Sequence, residues 1–134
     1  MTKMDMIWVA VASMIHPITG PSKTVSRSEI VALVSKLFDA TIRPIMIEKH
    51  LVNWEDRQAN KAYPRSGGSR KRYLFKTADG HTPSRNGQFR LYKAADGTRD
   101  GWEKDGPTCP VREAVADDYC HLVDWYKTRY FETL

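Results

Sequence analysis

The chain holds two cysteines in 134 residues, Cys109 and Cys120. That is too few, at the wrong spacing, for a disulfide framework or a zinc box. Cys120 and His121 are neighbours, and on a helix adjacent side chains diverge by about 100°, so they do not converge on a metal. No structural metal is expected, and a reducing cytoplasm is the expected compartment. The apolar runs fall far short of the roughly 20 residues that span a bilayer, so no membrane association is expected. The N-terminal MTKMDMIWVAVASMI is broken by Asp5 and follows helical spacing, which argues against a signal peptide. No glycine-rich phosphate loop, nucleophile elbow or internal repeat is present. The expectation is therefore a protein without a cofactor and without a catalytic constellation, not an enzyme.

The most informative scarcity is local. Between Arg57 and Lys93 there is one acidic residue, Asp79, against ten basic ones: Arg57, Lys61, Arg65, Arg70, Lys71, Arg72, Lys76, Arg85, Arg90 and Lys93. The remainder carries eleven basic and fifteen acidic residues, so the whole formal charge of +5 originates in that stretch. Charge concentrated on one element is the footprint of a surface that meets phosphates, because each neutralised phosphate releases counterions. A solvated basic loop would show the same charge without the aromatic and apolar residues found between the charges here.

A composition of 41% hydrophobic and 28% charged residues suits a globular protein, and the length suits one domain over residues 1–134. Met4 to Ile15 places Ile7, Trp8, Val11, Met14 and Ile15 on one helical face, and His16-Pro17 ends that helix. Ile18 to Thr24 is a loop. Ser26-Arg27-Ser28-Glu29 reads as a capping box opening a second helix, with Ile30, Leu33, Val34, Leu37 and Phe38 as its apolar stripe and an end near Asp39. A third helix is expected from Thr41, as N-cap, to about Val52, with Pro44 in its first turn. Ile42, Ile45, Met46, Lys49 and Val52 would line one face. Trp54 to Ser69 reads as a polar connection. Arg72 to Lys76 and Gln88 to Lys93 read as strands, the second with Phe89 and Leu91 on one side and Gln88, Arg90 and Tyr92 on the other. Thr77 to Gly87 forms a long hairpin loop with Asp79-Gly80 and Asn86-Gly87 as turn signals. Ala94 to Pro110 is expected as a loop pinned by Trp102. Val111 to Phe131 is expected as one long terminal helix, its stripe formed by Val111, Ala114, Val115, Tyr119, Leu122, Val123 and Tyr126.

A helix containing IWVAV, a capped SRSEIV helix, a TIR-initiated helix closing in LVN, then RYLFK and NGQFRLYK: this order resembles a family of winged helix-turn-helix domains found alone or attached to restriction-type nucleases. The resemblance covers about Met6 to Lys93. It is carried by Ile7, Trp8, Val11, Glu29, Ile30, Thr41, Ile42, Arg43, Val52, Asn53, Tyr73, Gly87, Phe89, Leu91 and Tyr92. It implies an α+β fold with a three-helix core and a basic β-hairpin wing over residues 4–93, here followed by an additional C-terminal helix. Two departures stand out. Pro44 alters the start of the reading helix, and Ala78 to Arg85 enlarges the wing. No nuclease module accompanies the domain, so cleavage is not implied.

Arg43 is the candidate for a base edge or a phosphate, since the first residues of a recognition helix reach the groove and the arginine fork matches guanine or phosphate. Thr41 is a candidate phosphate contact as well as a cap, and Lys49 and His50 would follow the groove. Arg70, Lys71, Arg72, Arg85 and Arg90 are the expected wing and backbone contacts. Trp8, Trp54, Trp102 and Trp125 would suit stacking on single strands, although core packing accounts better for Trp8 and Trp125. Asp117, His121 and Asp124 have acid/base spacing, but a solvated acidic face accounts for them better. The leading expectation is a protein that binds double-stranded DNA, in transcriptional control or DNA defence. The alternative is a protein-interaction module or accessory subunit, with the terminal helix pairing with a second copy in a homodimer or with another protein. A small nuclease or RNA-binding protein ranks third.

Overall fold

The computed structural model describes residues 1–16, 23–50, 73–80, 84, 87–98 and 107–133. Within them the chain is mixed, with four α-helices and a two-stranded antiparallel sheet.

Helix α1 (Lys3–Ile15) opens at Thr2, whose hydroxyl accepts the Asp5 amide at 3.2 Å, and closes at His16, held extended before Pro17. The apolar spacing suggested one buried face. Instead every residue from Ile7 to Ala12 is buried, because α2, the second strand and the C-terminal helix all pack on α1. It is the central helix, and small side chains at Ala10 and Ala12 leave room for neighbours on its remaining sides.

Helix α2 (Arg27–Phe38) carries the expected capping box. The Glu29 amide donates to Ser26 Oγ at 3.1 Å, and the Ser26 amide donates to Glu29 Oε1 at 2.9 Å. Those bonds favour the ionised carboxylate and hold the Glu29 pKa below its ordinary value. The helix ends at Asp39, in the left-handed region at φ 51°, where a short polar side chain is tolerated better than most.

Helix α3 (Pro44–His50) starts two residues later than a Thr41 N-cap would place it. Thr41, Ile42 and Arg43 are non-helical, so Thr41 is not its N-cap, and Pro44 takes the first helical position, where its missing amide costs nothing. This start takes Ile42 out of the helical stripe. Ile42 and Ile47 are the buried residues, while Ile45, expected on the inner face, is 61% exposed. The expected continuation to Val52 falls outside the described residues, as do the Trp54 to Ser69 connection, Trp54 and Trp102.

Strands β1 (Leu74–Thr77) and β2 (Gln88–Leu91) pair in the register Leu74 with Leu91, Phe75 with Arg90, Lys76 with Phe89 and Thr77 with Gln88. Before α2, Val25 forms a bridge to Phe89 through bonds of 2.7 and 2.8 Å, adding a single residue to the free edge of β2. Gly87 is required at the hairpin's return, because a Cβ there would collide with the Thr77 backbone. At the other end Gly80 takes φ 90°, a conformation that favours glycine. Both faces of the sheet are covered. Leu74, Phe89 and Leu91 face the core shared with α1, and Phe75, Thr77 and Arg90 on the opposite face are buried too.

The C-terminal region departs most from expectation. Ala94–Thr98, expected as loop, is a 3-10 turn, and the long helix from Val111 is broken. Arg112–Ala114 and Asp117–Tyr119 are separate 3-10 turns with extended backbone at Val115 and Ala116, and α4 (Cys120–Trp125) runs into a π turn at Tyr126–Tyr130. The break lets Val115 and Leu122 both reach the core, while Val111 stays 63% exposed. The Cys120 thiol, a weak donor, lies 3.6 to 3.7 Å from the carbonyls of Arg112, Val115 and Ala116. No described helix is long and apolar enough to cross a membrane.

Candidate nucleic-acid interface

The α2–α3 connection positions the first candidate residues. Asp39 turns the chain out of α2, with its amide still donating to Ser35 O at 2.9 Å, and Ile42 then plugs the core. With Ile42 and Ile47 anchored inside, Thr41, Arg43 and Ile45 are left exposed on the leading end of α3. Thr41 to Ile47 contains no acidic residue. Lys49 and His50 lie at the far end of α3, with side chains outside the described set.

On the hairpin, the described residues revise the expectation for Arg90. It is 2% exposed, and its guanidinium donates to both carboxylate oxygens of Asp96 at 2.8 Å, to Gly80 O at 2.9 Å and to Leu91 O at 2.9 Å. Its flat face lies 4.4 Å from the centre of the Phe75 ring. Asp96 arrives from the Ala94–Thr98 turn and also accepts the Lys93 amide at 2.8 Å. Arg90 therefore holds the hairpin base together and has no surface from which to reach a phosphate. Strand alternation had put it on an outer face, but that face is covered by a turn from later in the chain.

Lys93 is buried as well, with Nζ 5.1 Å from the Tyr130 ring centre. Burial lowers its pKa, the Arg90 charge adds to the effect, and Asp96 opposes it. Lys76 is half-buried, its Nζ 5.5 Å from the Phe89 ring centre. Arg70, Lys71, Arg72 and Arg85, together with Arg57, Lys61 and Arg65, lie outside the described residues.

The remaining candidates separate. Asp124 pairs with exposed Arg112 at 3.3 Å, while the His121 ring meets His16 at 5.7 Å between centres, so Asp117, His121 and Asp124 do not converge. No cluster of three or more metal-ligating side chains occurs among the described residues. Burial raises the Cys109 thiol pKa, which disfavours a thiolate nucleophile. Trp8 is fully buried against Tyr126, with ring centres 5.5 Å apart at 88°, and Trp125 packs on His16 at 5.0 Å. Trp8 thus offers no stacking platform, and Trp125 is half-buried.

Two features escaped the sequence reading. The internal partner of Arg90 had only a faint signal, an Asp96-Gly97 turn shortly after the strand. The outward turn of Ile45 had no decisive signal, because Ile45 and Ile47 lie about 200° apart on the helix and either could have faced the core. Comparison of the chain with protein-family models, curated proteins and solved structures finds no match.

Proposed function

We propose that this chain binds double-stranded DNA as a winged helix-turn-helix domain, in transcriptional control or DNA defence. In this reading α3 enters the major groove, and the basic hairpin meets the neighbouring backbone. The observation that carries the reading is the α2–α3 unit, in which Ile42 and Ile47 are buried while Thr41 and Arg43 stand exposed at the helix start. A recognition helix needs that division, with one face fixed to the core and the leading side chains free for base edges. The element order supports it: α1, the Val25 bridge, α2, α3, then β1 and β2. Because Val25 joins β2 immediately before the α2 cap, the hairpin and the helical pair are held as one body, so both can engage one duplex.

The charge argument now rests on fewer residues. With Arg90 and Lys93 inside, the wing contacts in this reading are Arg70, Lys71, Arg72 and Arg85, with Arg43 on α3. Fluorescence anisotropy with a labelled random duplex at low salt tests the reading. Binding that weakens steeply with salt is the expected result. No binding to any duplex would overturn it in favour of the protein-interaction module.

A further inference from the structure

We propose that Ile45 is a specificity-determining residue of this protein, reading the 5-methyl group of a thymine in the major groove; the inference rests on the DNA-binding reading above. Ile45 and Ile47 are two residues apart on α3, which places them about 200° apart around the helix. Ile47 is fully buried, and Ile45 accordingly points away from the core, 61% exposed. Among the described residues only Met1, Ile45 and Val111 are large apolar side chains with this much exposure. Ile45 alone of the three lies on the helix assigned to the groove. Its surroundings select the occupant. Exposed Arg43 precedes it, no acidic residue occurs from Thr41 to Ile47, and the chain's positive charge is concentrated in the sequence between Arg57 and Lys93. An anionic partner that also offers an apolar group fits this surface better than an apolar protein face does. The thymine methyl is the apolar group on the major-groove edge of DNA, and it sits on the same edge as the acceptors an arginine reads. Arg43 and Ile45 would together favour a site with guanine and thymine close in sequence.

The test starts from the duplex that the full chain selects out of a random pool. Each thymine is then replaced in turn by deoxyuridine, which removes one methyl group and leaves every base-pair hydrogen bond in place. Burying a methyl-sized group is worth about a three- to fivefold change in affinity. The full chain should lose about that factor at one or two thymines, and Ile45→Ala should bind the thymine duplex more weakly by a similar factor while becoming indifferent to deoxyuridine at those positions. Substitution at so exposed a position leaves folding nearly unchanged, and the deoxyuridine arm needs no variant at all. A chain that binds its selected duplex but tolerates deoxyuridine everywhere, or an Ile45→Ala variant that stays as sensitive as the parent, overturns the role of Ile45 and leaves DNA binding standing. A chain that binds no duplex overturns the DNA reading itself and this inference with it.

Discussion

Arg90 and Asp96 meet through two parallel 2.8 Å hydrogen bonds inside the protein, with side chains only 3% and 6% exposed. The pair joins β2 to the turn that follows it, and through Gly80 O it also reaches the turn after β1. Removing one partner strands the other charge away from water. Arg90→Met or Asp96→Asn should therefore destabilise the fold by about 3–5 kcal/mol, whereas Arg90→Met combined with Asp96→Leu should recover only part of the loss, since the bonds to Gly80 O and from the Lys93 amide go with it. Urea denaturation of the three variants checks this. A harmless Arg90→Met would mean that the guanidinium is not enclosed as described.

The salt dependence of DNA binding counts the phosphates that are neutralised. With Arg70, Lys71, Arg72 and Arg85 as phosphate contacts, log affinity should fall against log salt with a slope of about −3 to −4, steeper by about 1 if Arg43 meets a phosphate as well. Arg70→Ala with Arg72→Ala should flatten the slope by about 2 and weaken all duplexes alike. An unchanged slope in that double variant would remove both residues from the interface.

Arg43→Ala separates reading from positioning. If its fork is bidentate to guanine, the loss is about 1–3 kcal/mol on the selected site and much less on random duplex. Equal losses on both, measured by anisotropy, would reduce Arg43 to a backbone contact.

Two buried tyrosines predict the alkaline limit of stability. Tyr73 donates its hydroxyl to buried Asp5 at 2.8 Å, and Tyr126 donates to Tyr92 O at 2.6 Å. Burial raises both pKa values well above the ordinary tyrosine value; for Tyr73 the adjacent carboxylate raises it further. The folded state thus holds protons that the unfolded state releases, so this contribution is complete below about pH 10 and is lost as pH rises above it. Tyrosinate absorbance from these two residues should appear together with unfolding. Titration of all six tyrosines in the folded state, with circular dichroism unchanged, would contradict it.

Truncation after Pro110 should abolish cooperative folding. Leu122, Val123, Tyr126 and Tyr130 are buried in the same core as α1, and the Tyr126 and Tyr130 hydroxyls donate to the carbonyls of Tyr92 and Leu91. These side chains are already covered within one chain. A truncated chain that still melts cooperatively would show the segment to be dispensable.

Local chemistry was legible wherever it acts within a few residues. The capping box at Ser26, the helix stop at His16-Pro17 and the two hairpin strands all follow from side chains and their immediate neighbours, and all are present. Periodicity was less dependable. Val111 to Phe131 has the spacing of one helix, yet it folds as two 3-10 turns, a short helix and a π turn, because Val115, Leu122, Tyr126 and Tyr130 each reach partners on different elements. Propensity cannot foresee such a compromise, since packing outweighs the few tenths of a kcal/mol per residue at stake.

What the sequence by itself determined is the order of the first three helices and two strands, the Ser26 cap of α2, and the concentration of positive charge between Arg57 and Lys93. What only the tertiary structure decided is that Arg90 and Lys93 among those charges face inward. Alternation along a strand distinguishes two sides but does not say which side a later segment covers. Arg90 and Lys93 became interior groups because the chain after β2 returned across that face, bringing Asp96 to one and the Tyr130 ring to the other. The same holds for Ile45, whose exposure was settled when Ile47 took the place in the core. Burial depends on contacts between segments distant in sequence, and those contacts exist only once the whole chain has packed.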